Sequence, residues 1–118
     1  MAAPPTQNLE YALLAVDVAA DKQASDILML DISAVSDFAD YFVISTVESQ
    51  RQMSALREDL EKALEDRGAI LHHREGTDGG GWTLLDFGDL VVHLFGPEER
   101  TFYEIEAVWG KGVETRFQ

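Results

Sequence analysis

The sequence predicts one α/β domain, a mixed five-stranded sheet flanked by helices, and three observations carry that prediction. First, 118 residues with a hydrophobic fraction of 46% are enough for one core and too few for two. Second, segments with helical spacing alternate with short apolar, β-branched runs in the order α-β-β-α-β-β-β-α. Third, the connection between the second and third strands holds a whole helix, so a right-handed parallel crossover fits there, whereas the fourth and fifth strands are joined too tightly to be anything but antiparallel. The domain is expected over residues 8–109, with a loose tail at 1–7 and another at 110–118. No repeat, linker or low-complexity block interrupts it.

The opening "MAAPPTQ" holds two prolines, which delay a helix until Thr6 or Asn8 can cap it. Leu9, Ala12, Leu13, Val16 and Ala20 then recur at helical spacing to about Asp21. "ILMLDI" (27–32) is a short apolar run bounded by polar residues and reads as a buried strand. "SAVSDFAD" is a turn region, and "YFVISTV" (41–47) is a second strand rich in β-branched and aromatic residues. Ser49 and Gln52 form a capping-box pattern ahead of the stripe Met53, Leu56, Leu60, Ala63 and Leu64, with Gly68 as the stop. "AILHHRE" (69–75) is a third strand, "GTDGGG" a loop, and "WTLLDF" and "LVVHLF" a hairpin. Gly96-Pro97-Glu98-Glu99 starts a last helix, with proline in its first turn and acids at the positive end of its dipole. Phe102, Ile105 and Trp109 share one side of that helix, and "GKGVETRFQ" reads as a frayed end.

Two registers are open for the hairpin. A two-residue loop at Phe87-Gly88 sets Trp82 opposite His93 and Asp86 opposite Asp89, but demands a positive φ at Phe87, which a bulky side chain resists. A three-residue loop with Gly88 in the left-handed position avoids this and is favoured. It groups Trp82 and Leu84 with Leu90, Val92 and Leu94, leaving His93 with Leu85, Val91 and Phe95. A slip of one residue reverses every face.

Charge narrows the function. Nine Lys+Arg against 22 Asp+Glu give a net charge of −13, which repels phosphate backbones and anionic lipids and argues against a nucleic-acid or membrane binder. It suits a basic partner, a class in which ribosomal proteins are commonest; the plainer alternative is that it only maintains solubility. No run approaches the roughly 20 apolar residues that span a bilayer. The start of the chain lacks a basic region, so neither a signal nor a transit peptide is visible, and a soluble cytoplasmic protein is expected. With no cysteine, disulfides, Cys-ligated zinc and thiol catalysis are excluded.

Three constellations could carry chemistry. His72 and His73 are adjacent on a strand and point to opposite faces, so they cannot share a metal; a site of His73, Glu75 and His93 depends on register. The glycine loop lacks the following helix and the lysine of a phosphate loop and is read as a connection. General acid–base work by His93 with Asp86 or Asp89 would need a nucleophile or metal and an open cavity, and in the favoured register His93 lies away from both carboxylates.

Beyond these, "DYFVIST" followed by "SQRQMSAL", then "WTLLDFGDLVVHLF" and "PEERTFYEIEAVW", resembles the ribosomal silencing factor family, also called Iojap-like proteins, over nearly the whole chain. The resemblance implies a nucleotidyltransferase-like topology and a non-enzyme without cofactor or metal. It implies binding to the large ribosomal subunit through ribosomal protein L-fourteen, a block to subunit joining, repression of translation when nutrients are short, and a homodimer when free. The family's docking surface falls here on Trp82, Asp86 and Asp89, with Leu84 beside them; His93, Tyr103 and Glu106 also match family positions. Core packing is the competing role for Trp82 and the favoured one for Trp109. The rival function is a metal-dependent nucleotidyltransferase using Asp37 and Asp40, against which stands the absence of a preceding Gly-Ser pair and of a basic cluster for a triphosphate.

Overall fold

The computed structural model describes residues 5–34, 36–37, 39–76, 81–103 and 113–117, apart from the side chains of 5, 6, 101–103, 113, 114 and 116. Helix α1 spans Pro5–Asp21 and α2 spans Gln50–Asp66; strands β1 to β5 are Ser25–Asp31, Tyr41–Thr46, His73–Glu75, Trp82–Asp86 and Leu90–Phe95. Helix α3 is described over Pro97–Tyr103, and a sixth strand, β6, covers Val113–Arg116. All the expected elements are present in their expected order.

The sheet runs β3-β4-β5-β2-β1-β6. Strands β2 and β5 are parallel, and the other neighbours are antiparallel. Two expectations change here. The parallel neighbour of β2 is β5, not β3, because β3 lies at the sheet edge with β4 and β5 between them. The stretch read as a frayed end contains a strand: Val113–Arg116 forms β6 and pairs with β1, Leu28 facing Arg116 and Asp31 facing Val113. "VETR" has no apolar periodicity in its sequence; what places it is the backbone pairing that β1 offers. At the other terminus α1 begins at Pro5, inside the stretch read as tail, as a proline in the first helical turn allows.

Helices α1 and α2 pack on one face of the sheet. Ala12, Ala15, Val16 and Ala19 from α1 and Met53, Leu56, Leu60 and Leu64 from α2 meet Met29, Val43, Leu85, Leu90, Val92 and Leu94. The expected α1 stripe is thus rotated, with Leu13 39% exposed. On α2 the stripe is as expected. Ser49 Oγ accepts from Gln52 N at 3.0 Å, and Gln52 Oε1 accepts in return from Glu48 N at 2.7 Å, one residue before the cap. The opposite sheet face holds a second apolar cluster of Leu28, Leu30, Ile32, Phe42, Ile44, Val91 and Phe95, against which Trp82 and Leu84 pack. Buried Arg100 ties α3 to this end of the sheet, donating to Asp26 O and Thr46 Oγ1 at 2.9 Å each.

Candidate functional site

The β4–β5 hairpin decides which residues share a face. Trp82 pairs with Phe95, Leu84 with His93 and Asp86 with Val91. The favoured three-residue loop is therefore wrong, as is the exact pairing of the alternative, although that alternative put Trp82 and His93 on the correct common face. Phe87 N donates to Leu90 O at 2.8 Å, so the turn centres on Gly88 and Asp89. The positive φ of +88° falls on Gly88, at the first central position, where a type II′ connection uses glycine. Neither earlier loop gave glycine that position. Asp86 Oδ1 reinforces the turn by accepting from Gly88 N at 2.8 Å, and the Asp89 carbonyl accepts from Asp40 N and Tyr41 N at 2.8 and 3.0 Å.

On the sheet face away from α1 and α2, alternate residues of β4, namely Trp82, Leu84 and Asp86, stand half-exposed while Thr83 and Leu85 between them are buried. Strand β3 widens this strip. Glu75 lies beside Leu84 and His73 beside Asp86, both exposed and joined to each other at 3.1 Å from His73 Nε2 to Glu75 Oε1. The sequence reading missed these two as members of the strip, since it needed the β3–β4 register. Trp82 and Asp86 sit at opposite ends of β4, about 13 Å apart along the strand, so the tryptophan is not beside the turn carboxylates as expected. The strip runs from an aromatic end to an acidic end.

His93 lies beneath the strip and is 5% exposed. Its ring stacks on Phe95 with centroids 5.9 Å apart, meets Phe42 edge-on at 4.9 Å and lies nearly parallel to Trp82 at 6.5 Å. Trp82 Nε1 donates to His93 Nδ1 at 3.4 Å, while His93 Nε2 is buried and, among the described residues, has no hydrogen-bond partner. Burial lowers the His93 pKa from 6.5 to about 4, so the ring is neutral at pH 7. An unsatisfied buried polar group costs about 1–3 kcal/mol; an apolar ring would fill this place at less expense.

The residues weighed for chemistry do not converge. His73, Glu75 and His93 share a face, but Leu84 stands between Glu75 and His93. Among the described residues no three His, Asp or Glu side chains are grouped to hold a metal. Asp40 accepts from the buried amide of Asn8 at 2.9 Å, and Asp37 is exposed. Tyr41, beside them, has its pKa raised above 10.0 by burial, then by Asp31 and Asp40. A groove of about 320 Å³ lies on the α2 side of the sheet, between Gln50, Ser54, Arg57, Arg74 and Thr83. Both its arginines are tied to Glu61, Arg74 by two bonds of 2.8 and 2.7 Å and Arg57 at 3.3 Å. Tyr103 ends the described part of α3; its side chain, Glu106, Trp109 and Asp78 lie outside the described residues.

Comparison with known proteins matches residues 5–118 to the family model described as "Ribosomal silencing factor during starvation". Ribosomal silencing factor RsfS of Bacillus subtilis is 39% identical over 102 residues, covering 86% of this chain and 84% of that protein. The protein of the same name from Halalkalibacterium halodurans is 36% identical over 103 residues, covering 87% and 88%. The chloroplastic protein Iojap of Arabidopsis thaliana is 32% identical over 92% of this chain and 45% of its own length. A crystal structure of a protein from Chromobacterium violaceum superposes with a TM-score of 0.82 at 35% identity, covering 86% of this chain and 85% of the other. With a half-exposed aromatic-to-acidic strip on one face of its six-stranded sheet, and relatives of this name along nearly its whole length, the chain belongs to the ribosomal silencing factor family.

Proposed function

We propose that this protein docks on the large ribosomal subunit through the strip of Trp82, Leu84 and Asp86, with ribosomal protein L-fourteen as its partner, and so blocks subunit joining and lowers translation when nutrients are short. The observation that carries the reading is the co-facial, half-exposed placement of these three residues on β4, combined with the family match. A half-buried indole is suited to be an anchor: it is fixed by packing on one side and loses its remaining water on contact. Asp86, exposed Glu75 and the net charge of −13 suit a basic partner by steering and complementary pairing. Asp89 is assigned to the acidic end on the family pattern; its carbonyl ties the turn to Asp40 and Tyr41. Tyr103 and Glu106 are proposed contacts on the strength of the family pattern alone. The protein acts in the cytoplasm, without cofactor or catalysis, and forms a homodimer when free.

Sedimentation of the purified protein with isolated large and small subunits tests this reading. It should travel with the large subunit and not with the small one. Travelling with small subunits only, or with neither, would overturn it.

A further inference from the structure

We infer that His93 is a positioning residue, which holds the indole of Trp82 in its docking pose by accepting the indole N–H on Nδ1. The inference rests on the proposed docking role of Trp82 and adds a residue that the partner would not touch.

The geometry is specific. His93 and Trp82 are diagonal neighbours on β5 and β4, since Trp82 pairs with Phe95 and His93 with Leu84; such diagonal pairs lie within reach of aromatic side chains. The 3.4 Å contact joins Trp82 Nε1 to His93 Nδ1, and the two rings lie within 19° of parallel. His93 cannot easily tilt, being clamped between Phe95 at an interplanar angle of 2° and the edge contact with Phe42. Packing on the second apolar cluster holds one side of the indole, but apolar contact has no direction of its own, and an anchor turned about its two side-chain torsions would be misplaced. A directional acceptor on His93 selects one pose. Acceptance at Nδ1 requires the tautomer that carries its proton on Nε2, and that nitrogen is the buried one with no partner among the described residues. A ring chosen only to fill the core would carry no such unsatisfied donor, so the acceptor on its other side is what this position gains.

The test combines NMR of the indole and imidazole nitrogens with binding to isolated large ribosomal subunits. In the wild-type protein the ¹⁵N shifts of His93 should report a neutral ring protonated at Nε2, and the Trp82 indole N–H, identified by its loss in Trp82→Phe, should exchange slowly with water. His93→Phe keeps the stacked ring and removes the acceptor. It should remain folded, move the Trp82 indole signal, speed its exchange and weaken subunit binding on the order of tenfold. His93→Asn, which restores an acceptor near the Nδ1 position, should recover part of both. A proton on Nδ1 in the wild type, or an indole signal and binding both unchanged in His93→Phe, would overturn the inference. The wild-type tautomer decides the matter even where His93→Phe does not fold. Trp82→Ala separates the two claims: if it binds as the wild type does, the docking reading fails and this inference with it. If it fails to bind while His93→Phe binds normally, only the positioning role is lost.

Discussion

At the scale of single residues, the burial of His93 makes a prediction about pH. Its pKa is lowered by desolvation from 6.5 to about 4, so between these values the unfolded chain binds a proton that the folded chain refuses. Stability from this group is fully present above pH 6.5 and is lost as pH falls toward 4, by about 3 kcal/mol at most. Across pH 7 to 4, thermal melts should show the wild type losing stability that His93→Phe keeps, so the difference between them moves in favour of the variant as pH falls. Parallel curves would mean that His93 is solvated in the folded protein. The residue was visible in the sequence as a histidine among apolar neighbours, but its relation to Trp82 was not. That relation depends on which of three turns closes the hairpin, and the turns differ by one or two positions of Gly88 and Asp89.

Elements were legible where their own side chains dictate them. The capping pair Ser49 and Gln52 and the stripe from Met53 to Leu64 define α2 without any other part of the chain. Strand β6 was illegible for the opposite reason, since "VETR" is ordered by pairing with β1 and carries no apolar pattern of its own. Strand β3 shrinks from seven expected residues to His73–Glu75: Ile70, though apolar, is 66% exposed and outside the ladder. The hairpin also couples stability to the candidate site, because the Asp86 carboxylate both faces the strip and caps the turn through Gly88 N. Two substitutions separate these roles. Asp86→Ala should cost about 1 kcal/mol through loss of the turn bond. Asp86→Asn keeps an acceptor and should melt close to the wild type while associating more slowly with large subunits at low salt. Equal melting of the two variants would show that the turn does not use this bond.

For the whole molecule, the two-sided sheet explains how one small chain combines a core with a binding strip. One face is occupied by α1 and α2, and the other keeps a second apolar cluster with Trp82 and Leu84 at its margin. The net charge of −13 acts at longer range, and its contribution should fade as salt shortens the Debye length from about 10 Å at 0.1 M to about 3 Å at 1 M. An anchoring tryptophan in a desolvated pocket does not share that salt dependence. The most direct test of the docking face is therefore the affinity of Trp82→Ala for isolated large subunits at low and high salt, with a thermal melt of the same sample. The account predicts a folded variant whose binding is weaker by about 2 kcal/mol or more at both salt concentrations, mainly through faster dissociation. Undiminished binding, or a variant that loses several kcal/mol of stability and fails to bind because it unfolds, would contradict it and return Trp82 to the core.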